Sequence, residues 1–142
     1  MIRTRFTPGA TVIVTALLLA RASSPGRASS PGRAQVQTVD PQILISEAKQ
    51  YFDALDYEHA VRALDQAIAV VEGKPAQDPS RKQLALAYEM RARSRFGLGD
   101  QTGASADFVA LLKTDPSYAL TGQVSPRVVA LFNDALKTTD SW

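Results

Sequence analysis

Few side chains in this sequence could do chemistry. Its 142 residues include no cysteine and one histidine, His59. The lack of cysteine excludes disulfides, thiolate metal sites and cysteine nucleophiles. His59 stands beside Glu58 on the polar edge of an amphipathic stretch. A lone imidazole without a partner motif reads as a solvated surface residue rather than a ligand or a base. No nucleophile elbow, phosphate loop or metal-spaced cluster is visible, and Gly97-Leu98-Gly99 is better explained as a turn. The reading is therefore a non-enzyme with no catalytic, cofactor-binding or metal-binding residues and no cofactor. What remains is charge recognition. Arg81, Lys82, Arg91, Arg93 and Arg95 gather positive charge in one stretch, where Glu89 precedes Arg93 by four residues. On a solvated helix face such a pair contributes about 0.3–0.5 kcal/mol.

Helices must position these charges. From Asp56 to Val71, Ala60, Val61, Leu64, Ala67, Ile68 and Val71 recur at helical spacing, with Glu58, His59, Arg62, Asp65 and Gln66 opposite. Full burial of Val61, Leu64, Ile68 and Val71 would stabilise by roughly 1.5–3 kcal/mol each. That face needs a wall, so the neighbouring segments must supply it. Asp40-Pro41 sets an acceptor at an N-cap and proline at the first helical position, which predicts a first helix over Pro41 to Ala54. A very short turn near Leu55-Asp56 makes the second helix its antiparallel neighbour, ending at Glu72-Gly73.

Asp78-Pro79 repeats the start signal and opens a third helix to about Phe96. Its apolar residues fall on several sides, and Arg91 and Arg95 interrupt them. That suits a helix packed on two sides, with arginine stems on apolar surface and their heads in water. Gly97 to Asp100 is a turn with two residues free to take positive φ. The fourth helix runs from Gln101 to Lys113 and stops at Asp115-Pro116. After a loop over Ser117 to Val124, Ser125-Pro126 starts a fifth helix that turns Val128, Leu131, Phe132, Ala135 and Leu136 inward. Thr138 to Trp142 is expected to fray. No stretch alternates at strand period, so the expected fold is all-α.

The N-terminus has a different character. Arg3 and Arg5 precede an apolar run from Ala10 to Ala20, too short for the roughly 20 residues of a membrane span. This pattern predicts a cleaved secretory signal over residues 1–22, cut after Ala22 or, less conveniently placed, Ala34. Residues 23–39 are expected to form a flexible linker, since Arg21 to Gly26 repeats as Arg27 to Gly32 with no apolar face. Five of the sixteen basic residues lie before Gln35, whereas all fourteen acidic residues follow it. The rest of the chain therefore carries a charge near −3, and the basic isoelectric point gives no reason to expect nucleic-acid binding.

The two helical pairs share a spacing. Leu44, Glu47-Ala48, Tyr51, Ala60 and Leu64 in the first correspond to Tyr88, Arg91-Ala92, Arg95, Ala104 and Phe108 in the second, followed by Pro116. Each pair separates its two alanines by 12 residues: Ala48 to Ala60, and Ala92 to Ala104. Small residues let antiparallel helices approach closely. This pattern resembles the tetratricopeptide repeat, over about Pro41 to Pro116. The departures are Glu47 and Arg91 at a usual leucine, Arg95 at a usual aromatic, no proline near Glu72, and a 44-residue offset between pairs instead of 34. The resemblance implies antiparallel helix-turn-helix repeats over residues 40–116, with residues 117–142 supplying a loop, a capping helix and a tail.

It also implies a function. In this family, first helices line a groove that holds an extended peptide or a partner helix. The expectation is a protein-interaction adaptor of the bacterial cell envelope, periplasmic or secreted, with another protein or peptide as partner and no membrane span after signal cleavage. The alternative is a structural subunit of a larger envelope or secretion assembly. Lys49 and Arg93 hold equivalent places, each one residue after the small alanine, and are expected to meet a partner's carboxylates. Phe52, Glu89 and Phe96 complete the expected partner-binding set.

Overall fold

The computed structural model describes residues 39–141. The expected signal segment, both candidate cleavage sites and the repeated linker up to Thr38 lie outside the described residues. Five α-helices follow in order: α1 Pro41–Asp53, α2 Tyr57–Glu72, α3 Leu84–Gly97, α4 Gln101–Thr114 and α5 Pro126–Asp140. Among the described residues there is no strand, and no helix is long and apolar enough to cross a membrane.

The two hairpins are closed by the same turn. At the end of α1, Leu55 N–H donates to Phe52 O (3.0 Å) and Asp56 N–H to Tyr51 O (2.8 Å). At the end of α3, Gly99 N–H donates to Phe96 O (3.0 Å) and Asp100 N–H to Arg95 O (2.9 Å). This paired pattern satisfies the last helical carbonyls and needs a left-handed residue at its corner. The corner residues are Leu55, with φ 62°, and Gly99, with φ 87°. Asp56 and Asp100 then start the next helices, accepting from His59 N (3.3 Å) and Gly103 N (2.8 Å) respectively. One residue thus ends one helix and caps the next, which keeps the connections at three residues.

Of the two glycines free to take positive φ, Gly97 is helical and only Gly99 takes that conformation in this turn. Gly97 has a different constraint. A Cβ there would lie 2.5 Å from Cε2 of Tyr57, whose ring lies across the end of α3.

Ala48, Ala60, Ala92 and Ala104 are each fully buried, as are Leu64 and Phe108, which occupy the same position in the two pairs. The helices pack in chain order, each mainly on its neighbours in sequence. At the far end, Phe132 of α5 meets Phe108 of α4 edge-on, with ring centres 5.4 Å apart. Val128 and Ala135 are buried with it, while Leu131 and Leu136 are half-buried.

Two boundaries differ from the sequence reading by more than a residue. The third helix does not begin at Pro79: residues Pro79–Gln83 form a tight 3₁₀ turn and α3 starts at Leu84. The Asp78 carboxylate takes both the amide and the hydroxyl of Ser80, which holds the tight geometry. Gly73 keeps right-handed geometry (φ −70°). The end of α2 falls at Glu72, as expected, and is secured by Arg81, whose guanidinium donates to Glu72 O at 3.0 Å and Lys74 O at 2.8 Å. The tail of α5 does not fray after Lys137. It continues to Asp140, with the Thr138 and Thr139 hydroxyls donating to the carbonyls of Asp134 (3.0 Å) and Leu136 (2.8 Å).

Candidate functional site

α3 is covered on nearly every side. Leu84, Ala85, Ala87, Tyr88, Glu89, Met90, Ala92 and Ser94 are all buried, which explains why no single apolar stripe is legible in its sequence. Its charged residues therefore work inside the molecule, in two separate centres.

The first centre ties three helices together. Arg91 donates from Nε to both oxygens of Asp107 on α4 (3.1 and 3.0 Å) and from Nη1 to Asp65 on α2 (2.7 Å). Arg95 reaches Asp107 at 3.1 Å and Asp65 at 3.7 Å. The Arg91 side chain is only 14% exposed and Asp107 only 2%. Burial opposes the charge on Arg91, but the Asp107 and Asp65 carboxylates outweigh it and raise the guanidinium above its usual range. The expectation that both arginine heads reach water is corrected here. They reach carboxylates between helices, because Asp107 stands on α4 facing them.

The second centre holds a loop against the molecule. Glu89, four residues before Arg93 and paired with it at 3.1 Å, is completely buried rather than on a solvated face. Segment 117–124, between α4 and α5, covers it. Glu89 accepts from the Tyr118 hydroxyl (2.7 Å), the Thr121 amide (3.1 Å) and the Thr121 hydroxyl (2.9 Å). Burial, then the hydrogen bond to Glu89, pushes the Tyr118 hydroxyl well above the ordinary phenol value. Arg93 donates to the carbonyls of Thr121 and Gln123, both at 3.1 Å. Its guanidinium also lies over the Phe52 ring of α1, 5.0 Å from the centre. That stacking adds an attraction between the cation and the aromatic face.

Together, α1, α3 and this loop line a cleft of about 290 Å³, walled by Lys49, Phe52, Leu86, Met90, Arg93 and Thr121. Lys49, Phe52 and Arg93 of the expected set line this cleft, whereas Glu89 is buried beneath the loop and does not line it. Lys49 is exposed and pairs along its own helix with Asp53 at 2.6 Å. Phe96 stands apart. It lines a different depression with Arg127, Leu131 and Asp134 of α5. The sequence reading missed the loop's part in the cleft and the partner of Arg91. Thr121 lies 32 residues from Glu89 and Asp107 lies 16 from Arg91, beyond any helical spacing.

His59 belongs to neither centre. Its Nδ1 sits 2.8 Å from Asp56 and its ring stacks on Tyr51 at 5.1 Å, on the exposed side of the first turn. The hydrogen bond from the imidazole is the main reason the Asp56 carboxyl lies below its usual range. Among the described residues no group of three or more His, Asp or Glu is placed to hold a metal ion.

The fold and site define an all-helical protein of two capped hairpins whose polar chemistry is spent on docking its own segments. No protein-family model, curated protein or solved structure matches the chain.

Proposed function

We propose that this chain is a non-catalytic adaptor of the bacterial cell envelope, built as a degenerate pair of tetratricopeptide-like repeats. It is exported by its leader and holds a partner peptide or helix on the side formed by α1 and α3. The observation that carries this reading is the cleft between those helices. It sets the apolar surface of Phe52, Leu86 and Met90 beside the charges of Lys49 and Asp53, a combination suited to a peptide with both apolar and charged side chains. The repeat reading is supported by the four fully buried alanines at a common offset and by the twin turns.

A second reading, a subunit of a larger envelope assembly, is favoured by the outer edge of α1, where Ile43 is 62% exposed. One experiment separates the two. A photo-crosslinking residue is placed at Leu86 or at Ile43 and activated in cells of the source organism. The adaptor reading expects discrete adducts from position 86 and none from position 43. The reverse result supports the subunit reading, and silence at both positions overturns both.

A further inference from the structure

We infer that segment 117–124 is a resident pseudo-ligand: it lies against Glu89 and Arg93 of α3 as a bound peptide would, forming one wall of the α1–α3 cleft, and a partner enters by displacing it with an extended segment of matching chemistry. The inference rests on the proposal that this cleft is the binding surface.

The contacts have the form of peptide recognition. The Glu89 carboxylate takes a backbone N–H from Thr121, and Arg93 gives hydrogen bonds to the carbonyls of Thr121 and Gln123. These groups belong to any extended chain. Sequence preference enters through two hydroxyls, of Thr121 and Tyr118, both directed at Glu89. Two residues one turn apart on α3 thus hold donors and acceptors of a crossing chain.

Burial sets what can replace the segment. Glu89 has no exposed surface. Withdrawing Tyr118 and Thr121 without replacement leaves its charge with Arg93 alone among the contacts described, and an under-bonded buried carboxylate is strongly unfavourable. A competing occupant must therefore bring an amide N–H and a Ser, Thr or Tyr hydroxyl to the same place. An acidic side chain there would be repelled by Glu89. Tyr118, Leu120 and Val124 also pack half-buried against the core, so an occupant must replace their apolar contacts as well. α5 is fixed separately through Phe132 on Phe108, and Thr121, Gly122 and Gln123 are exposed. Gly122, with φ 67°, bends the chain between the two carbonyls that Arg93 holds.

The test uses a fluorescent octapeptide of residues 117–124, Ser-Tyr-Ala-Leu-Thr-Gly-Gln-Val, titrated into three full-length proteins. These are the unaltered chain, a Tyr118→Phe/Thr121→Val variant, and a variant with residues 117–124 replaced by a Gly-Ser stretch of equal length. Helical circular dichroism checks that each is folded. The peptide is expected to bind both variants at least tenfold more tightly than the unaltered chain. Replacing its threonine by valine should abolish that gain. Equal binding to all three proteins, or none to a folded variant, overturns the inference. The double substitution keeps the test alive if the replacement variant does not fold. Failure here alongside adducts at position 86 would sink the pseudo-ligand and leave the adaptor reading standing. Peptide binding without such adducts would show that the segment can be exchanged but that no partner does so, which overturns the adaptor reading and the partner displacement with it.

Discussion

Asp107 faces two guanidinium groups while only 2% exposed, and its counterpart one hairpin earlier is Ala63. The comparison explains the charges at Arg91 and Arg95. Glu47 and Tyr51, their counterparts on α1, lie on a helix with no hairpin before it, and Glu47 stays exposed. Arg91 lies between α2 and α4, so its charge needed carboxylates from both. Removing one partner of a buried pair leaves the other poorly compensated. Arg91→Ala is accordingly expected to cost about 3 kcal/mol. Exchanging the pair for the apolar solution, Arg91→Leu with Asp107→Ala, should recover most of that loss. Urea unfolding of the single and double variants checks both statements. A double variant as unstable as the single would show that Arg95 and Asp65 cannot manage without Asp107. The sequence offered the arginines readily, since their crowding is plain by eye. It did not offer Asp107 as their partner, because a lone aspartate in an apolar helix carries no local sign of what faces it.

At the scale of elements, the two turns are the same device built from different residues. Leu55 occupies a left-handed corner that Gly99 occupies in the second hairpin. A side chain in that conformation is strained by roughly 1–2 kcal/mol, partly offset by the entropy that glycine loses on folding. Leu55 is 70% exposed, so its side chain contributes little packing in return. Leu55→Gly is expected to stabilise by about 0.5–1 kcal/mol, and Gly99→Leu to destabilise by a similar amount. Thermal unfolding should show opposite shifts in Tm for the two substitutions. Shifts of the same sign would mean that the turns are not equivalent. Much of this scale was legible in advance. Aspartate before proline marked the starts of α1 and the turn before α3, and the paired alanines marked where helices touch. The exceptions have local causes. Ser80 satisfied by Asp78 tightened Pro79–Gln83 into a 3₁₀ turn, and threonine hydroxyls bonding back to Asp134 and Leu136 prolonged α5.

For the whole molecule, α5 closes the stack. Phe132 covers Phe108, itself fully buried at the centre of the second hairpin. Phe132→Ala is expected to destabilise by about 3–4 kcal/mol through lost burial and the cavity left behind. Urea unfolding followed by circular dichroism measures it, and a loss under about 1 kcal/mol would mean that α5 is not holding the core closed. The all-helical class and the terminal helix were readable from periodicity, because every segment but α3 showed spacing near 3.6 and none showed spacing of 2. The arrangement of the cleft was not. It depends on a loop returning to a glutamate 32 residues earlier, and hydrophobic periodicity is silent about where a polar loop goes.

Packing in chain order has a kinetic corollary. Most partners in this structure are near neighbours along the polypeptide, and chains of that kind fold quickly, on the order of microseconds to milliseconds. The hairpins can form as soon as their turns do. Segment 117–124 must span a longer stretch to find Glu89, so its docking belongs at the end of folding. The last piece to settle would then also be the first to let go.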